Sequence, residues 1–250
     1  MLGDEVAALA AQVSNGSRAV AVSRGLGGRH TGAGGKRGGS GPGHYWGTSR
    51  LWMLLATMTD LTNHTLLDIG AGDGSIGAIA APKFGLGKVT LYDVQQTSNS
   101  WGDVQLFDGQ HVPEPDGSHD LVMLAYVLHH AAEKQLQLLR EARRVARRWV
   151  LIAEDLDMPE WRLRNSYHDA HAVFRSDEGW RAQFALAGLT AVASGPMFDA
   201  EHPCHYYVLR DASSPPRPTP QHQLGQMAEF QELLHHSMRR ALLLGQISLD

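Results

Sequence analysis

The sequence predicts an α/β fold in which a mostly parallel sheet is covered by helices on both faces. Three observations predict it. Apolar runs of strand length alternate with helical patterns through most of the chain, as in successive βα units. Several runs are apolar at consecutive positions, such as Leu121-Val122-Met123-Leu124, which fits strands buried on both faces. A glycine-rich turn, Gly70-Ala71-Gly72-Asp73-Gly74, follows the first run directly, where a parallel sheet opens toward a ligand.

In chain order, residues 1–13 suit a short helix with Asp4 and Glu5 in its first turn. Ten of the 27 glycines lie between Gly25 and Gly43. That stretch has little to bury and reads as a flexible segment or a lid. From Tyr45 onward, Trp46, Leu51, Leu54 and Leu55 recur at helical spacing, with Thr48 or Ser49 as a cap. Strands are expected over 65–70, 88–93, 103–107, 120–126 and 149–155, with helices over 75–82, 131–148 and 176–187. Residues 189–194 and 205–210 read as two closing strands, giving seven. After Asp211 comes a Pro/Ser break, then an amphipathic helix carrying Met227, Phe230, Leu234, Met238, Ala241 and Leu242 on one face. The expected division is a front segment 1–44, a ligand-binding domain 45–211 and a tethered helix 212–250.

The 250 residues are enough for a sizeable core. One cysteine, Cys204, excludes a disulfide scaffold and a thiolate-rich metal site and reads as a core residue; the expected location is the cytoplasm, with organellar targeting by the N-terminal segment as the alternative. The longest apolar run near the front is far short of a membrane span. Net charge is −4, so bulk electrostatics do not favour nucleic acid. Residues 1–59 are nonetheless basic, with six basic side chains against two acids. Arg140, Arg143, Arg144, Arg147 and Arg148 fall on one face of the predicted 131–148 helix. They read as a solvated face, or as a phosphate- or RNA-binding stripe.

The glycine turn discriminates among ligands. A dinucleotide fingerprint would place glycine at position 75, where the chain has Ser75. The next strand ends in Asp93, and an acid there can accept hydrogen bonds from both hydroxyls of a ribose. Asp108-Gly109 closes the third strand, where an acid can meet an adenine amino group. The stretch 112–122 and then Val127-Leu128-His129-His130 follow. Taken together, the LDIGAGDG turn, Asp93, the FDG step, PEPDGSHDLV and LHH resemble a class I S-adenosylmethionine-dependent methyltransferase of the small-molecule branch, over about residues 46–210. The resemblance implies a Rossmann-like sheet of seven strands with the last antiparallel. It also implies S-adenosylmethionine as cofactor and a small organic acceptor. Asp68, Gly70 and Gly72 would line the methionine end, Asp93 the ribose, Val94 the adenine face, and Asp108 with the Gly109 backbone the adenine amino group.

The acceptor side is less legible. The donor's leaving group is neutral, so a general base is needed only when the acceptor must lose a proton. His129 is a candidate base, or else packs structurally. Glu154 and Asp155 end the fifth strand and are substrate candidates. Tyr167, His168 and His171 fall in the connection that commonly covers the acceptor in this family; His168 is the second catalytic candidate. His168 and His171 lack a third ligand, so no metal is expected. Tyr45 and Trp46 would wall the pocket if they belong to the lid. The C-terminal helix either packs on its own domain or contacts a second copy or partner. Two other classes stay open: a non-catalytic, donor-binding regulatory subunit, and an RNA methyltransferase.

Overall fold

In the computed structural model, the seven apolar runs from Thr65 onward become the seven strands of one sheet. The structure describes residues 50, 53, 54, 56, 57, 60–96, 100, 102–160, 171–197 and 203–214. These belong to one compact unit, residues 50–218. The helices expected over 1–13 and beyond 222, and the glycine-rich stretch 25–43, lie outside the described residues.

The elements run β1 (Thr65–Ile69), α1 (Ser75–Phe84), β2 (Lys88–Asp93), β3 (Val104–Leu106), β4 (His119–Ala125), a 3₁₀ segment (Leu128–Lys134), α2 (Gln135–Val145), β5 (Ala146–Asp155), α3 (Asp177–Leu186), β6 (Leu189–Pro196) and β7 (Cys204–Asp211). The strand order is β3-β2-β1-β4-β5-β7-β6. β1 to β5 are mutually parallel, and β7 inserts antiparallel between β5 and β6. The expected seven-stranded sheet with an antiparallel last strand is therefore present.

The consecutive apolar runs are buried on both faces. Leu67, Ile69, Val122, Leu124, Val150 and Ile152 join a cluster with Leu138, Leu139 and Val145 of α2 and Trp180 and Phe184 of α3. Their neighbours Leu66, Leu121, Met123, Leu151 and Ala153 are buried as well. α3 begins at Ser176, whose hydroxyl accepts from Gly179 N at 3.1 Å, with Asp177 and Glu178 in the first turn; this is a serine cap with acids at the positive helix end. Among the described residues, no helix is long and apolar enough to cross a membrane.

The helix expected over 131–148 is corrected at both ends. Its first turn is 3₁₀ and is broken by Ala132 at φ 45° and ψ −118°, so α2 starts at Gln135. It stops at Val145 because Ala146 pairs with His119 and Trp149 with Leu121. Strand pairing overrides helix propensity there. Arg147 and Arg148 consequently lie on β5, and the five-arginine helical stripe does not form.

Candidate active site

β1 is flanked by β2 and β4, so the chain builds out to one side of β1 through β2 and β3 and crosses to the other side between β3 and β4. This reversal opens a crevice at the carboxyl ends of the strands, the usual ligand site of open α/β sheets. Two turns line it, one after β1 and one after β4.

The first turn is held by backbone and side-chain bonds. Gly70 N and Ala71 N both donate to Tyr92 O, at 2.8 and 3.0 Å. Gly72 N donates to Asp93 Oδ2 at 2.8 Å, and Gln95 N to Asp93 Oδ1 at 3.0 Å. Gly70 has φ +75°, and a Cβ there would lie 2.3 Å from Val127 Cγ2. Glycine thus lets the two turns close on each other. Gly72 also has positive φ, but a Cβ there would meet nothing within 4 Å, so its backbone faces open space.

Three carboxylates stand at the ends of three adjacent strands. Asp68 of β1 is fully buried and accepts from Arg50 Nε at 3.1 Å, while Arg50 Nη2 reaches Gly70 O at 2.7 Å. Its Oδ1 has no hydrogen-bond partner among the described residues. Burial pushes the Asp68 carboxyl up, Arg50 pulls against that, and the charge of Asp93 adds to the rise. Asp93 ends β2. Asp108, just beyond β3, is exposed and accepts from Gln110 N and His111 N, each at 2.7 Å. The amide of His111, then that of Gln110, holds its carboxyl at about 2. Val94, 55% exposed, presents an apolar surface between these acids, and Gly109 approaches it so closely that a Cβ would lie 3.1 Å from Val94 Cγ1.

The turn after β4 is built on Glu154, the penultimate residue of β5. Glu154 is fully buried. Its Oε1 accepts from Val127 N at 2.9 Å and Leu128 N at 2.7 Å, and its Oε2 lies 2.6 Å from His129 Nδ1. His129 is buried and stacks on Phe174, with ring centroids 4.8 Å apart. Val173 N donates to His129 O at 2.8 Å, which ties the segment before α3 to this turn. Tyr126 takes φ +58° and its hydroxyl meets buried Cys204 Sγ at 2.8 Å. Cys204 is thus a core residue. Asp155 is half-buried at the end of β5, and His171 is exposed. Tyr45, Trp46, Tyr167 and His168 lie outside the described residues. Among the described residues, no group of three or more His, Cys, Asp or Glu is placed to hold a metal ion.

Two features escaped the sequence reading. Arg50 counted only as a front-end charge, yet it braces both Asp68 and the turn. Arg144 ties α2 to the loop after Asp108-Gly109, donating to Val112 O at 2.9 Å, Glu114 O at 2.7 Å, Asp116 at 2.7 Å and Glu141 at 2.8 Å. Glu141 in turn accepts from Val112 N at 3.0 Å. Glu141 and Arg144, three apart on a helix, were the available signal.

Residues 67–152 match the methyltransferase domain family. The matched span starts within β1 and ends within β5, so it contains both turns and all three carboxylates. That span of the chain is therefore similar to methyltransferase domains. A curated relative, the ubiquinone/menaquinone biosynthesis C-methyltransferase UbiE of Cupriavidus pinatubonensis, is 31% identical over 115 residues, 40% of this chain and 47% of that protein. The chain thus spans about half the length of the relative it matches. The fold also resembles solved structures. One is the complex between the Haloferax volcanii Trm112 methyltransferase activator and a methyltransferase (TM-score 0.55, 17% identity, 68% of this chain and 91% of that one). Another is the mitomycin 7-O-methyltransferase MmcR (TM-score 0.52, 19% identity, 68% and 55%). S-Adenosylmethionine is the cofactor of methyltransferase domains of this class. The residues present fit it: a buried acceptor oxygen on Asp68 suits an ammonium donor, a side-chain-free backbone at Gly72 admits close approach, and exposed Val94 offers a flat apolar contact.

Proposed function

We propose that this domain transfers a methyl group from S-adenosylmethionine to an O, N, S or C atom of a small organic acceptor, in the cytoplasm. The observation that carries the reading is the row of carboxylates Asp68, Asp93 and Asp108 at the ends of β1, β2 and β3 around the glycine turn. In this reading Asp68, Gly70 and Gly72 hold the methionine end and Asp93 accepts from the ribose hydroxyls. Val94 packs on the adenine, while Asp108 and the Gly109 backbone meet its amino edge. S-Adenosylmethionine supplies an electrophilic methyl on a sulfonium whose leaving group is neutral. The protein's remaining tasks are to align the acceptor and exclude water. Where the acceptor must lose a proton, His129 on the β4 turn is the group assigned to hold it. Asp155 and His171, with Tyr45, Trp46, Tyr167 and His168, stand as acceptor-side contacts. Glu154 does not take that role, since it is fully buried and both its oxygens bind the protein's own turn.

The curated relative is named a C-methyltransferase, which supports keeping carbon among the acceptor atoms. An RNA acceptor loses its main support with the arginine stripe. Arg143 pairs with Asp211 at 2.9 Å, Arg144 with Asp116 at 2.7 Å and Arg147 with Asp120 at 3.0 Å. The test is a screen of metabolite extract with methyl-labelled donor, read by mass spectrometry. The expected result is a product heavier by the labelled methyl. A folded, donor-binding protein that labels nothing would instead support a non-catalytic binding subunit.

A further inference from the structure

We infer that Glu154 is a positioning residue that sets the tautomer of His129 and so the proton-accepting face of the turn after β4. The inference rests on reading that turn as the acceptor side. Glu154 comes from β5, yet its carboxylate serves three consecutive residues of another connection: the amides of Val127 and Leu128 and the ring of His129. The two amides occupy Oε1 and leave the buried second oxygen in need of a donor. That oxygen meets an imidazole nitrogen at 2.6 Å, with both side chains withdrawn from solvent.

The chemistry follows from the donor inventory. An ionised carboxylate only accepts, so the proton on this contact belongs to His129 Nδ1. In a neutral imidazole the other nitrogen, Nε2, then carries the lone pair. Glu154 thereby makes Nε2 the basic atom of the ring; this nitrogen is buried with the rest of the side chain, so it takes a proton only from a group bound directly against it. The ring cannot easily rotate out of this arrangement. Phe174 stacks on it at 4.8 Å with a 19° interplanar angle, and the His130 ring lies 4.0 Å away. The segment that carries Phe174 is itself fixed. Val173 N binds His129 O, Gln135 Nε2 donates to Val173 O at 2.9 Å, and Arg175 Nε donates to Gln135 Oε1 at 2.8 Å.

Glu154→Gln tests this directly because it keeps the shape and reverses one donor. With its carbonyl still accepting from Val127 N and Leu128 N, the glutamine amide turns its N–H toward His129 Nδ1. That nitrogen must then accept, and the proton moves to Nε2. Long-range ¹⁵N–¹H spectra of histidine-labelled protein should show His129 protonated at Nδ1 in the wild type and at Nε2 in Glu154→Gln. Calorimetric titration should show unchanged donor affinity. With an acceptor that must be deprotonated, kcat should fall by roughly 10²-fold or more while donor KM stays constant. An Nε2-protonated ring in the wild type overturns the inference even if the variant does not fold. So does a folded Glu154→Gln protein whose His129 keeps its proton on Nδ1. Failure of the wild type to bind donor would refute the methyltransferase reading, whereas the tautomer measurement does not depend on it.

Discussion

Gly70→Ala separates the two demands placed on the glycine turn. The position has φ +75°, and the added methyl would sit 2.3 Å from Val127 Cγ2. That is more than about 1 Å inside an ordinary carbon contact of ~3.5 Å. Forcing an L side chain into left-handed backbone costs about 1–2 kcal/mol. Overpacking against a neighbour adds about 1–3 kcal/mol. The expected loss is therefore about 2–5 kcal/mol, a large share of the roughly 5–15 kcal/mol that holds a domain together. Gly72→Ala shares the positive φ but has open space around the new methyl, so it should lose only about 1–2 kcal/mol. Urea unfolding of both variants gives the difference. Val127→Ala in the Gly70→Ala background should recover the overpacking part, read as a coupling energy in a double-mutant cycle. Equal losses at the two glycines, or no coupling between 70 and 127, would refute the claim that the two turns close on each other through Gly70.

Three further outcomes follow from the geometry. Arg144→Ala releases the loop after Asp108-Gly109 and leaves Glu141, 8% exposed, without its cation; denaturant unfolding should show a loss of about 2–4 kcal/mol, with weaker donor binding. Phe184→Ala empties a core site 1% exposed between Trp180 and Tyr207 and should cost about 3–5 kcal/mol by the same assay. The Asp108 carboxyl, held by the amides of His111 and Gln110, should titrate by ¹³C NMR with a midpoint of about 2 rather than 3.8. Because the folded value lies below the unfolded one, its contribution to stability is present above pH 3.8 and is lost as pH falls through 2.

The parts of this molecule that were legible in the sequence are those encoded locally. Strand boundaries at Thr65, Lys88 and Leu189 follow from apolar runs ended by glycine, aspartate or lysine. The Gly70–Gly74 turn declares itself because positive φ leaves few residue choices. What the sequence hid depends on contacts between distant segments. Nothing near Arg147 says that it leaves a helix, because the register of β5 is set by His119 and Leu121, more than twenty residues earlier. Glu154 looked like a rim acid awaiting substrate, since its position at a strand end is local information. Its real partners are the amides of a turn 26 and 27 residues upstream. Arg50 was hidden for the same reason: its ion pair with Asp68 spans 18 residues.

The central claim is that the crevice between the two turns binds S-adenosylmethionine through carboxylates at three strand ends. Isothermal titration of the folded protein with the donor and with its demethylated product tests it most directly, with Asp93→Ala alongside. Charge-assisted hydrogen bonds to a carboxylate are worth about 1.5–3 kcal/mol, so the variant, checked as folded, should bind at least about tenfold more weakly, and the loss of its bonds to Gly72 N and Gln95 N should lower its unfolding midpoint as well. A folded wild-type protein that binds neither compound, or an Asp93→Ala variant that binds both as tightly as the wild type, would contradict the account.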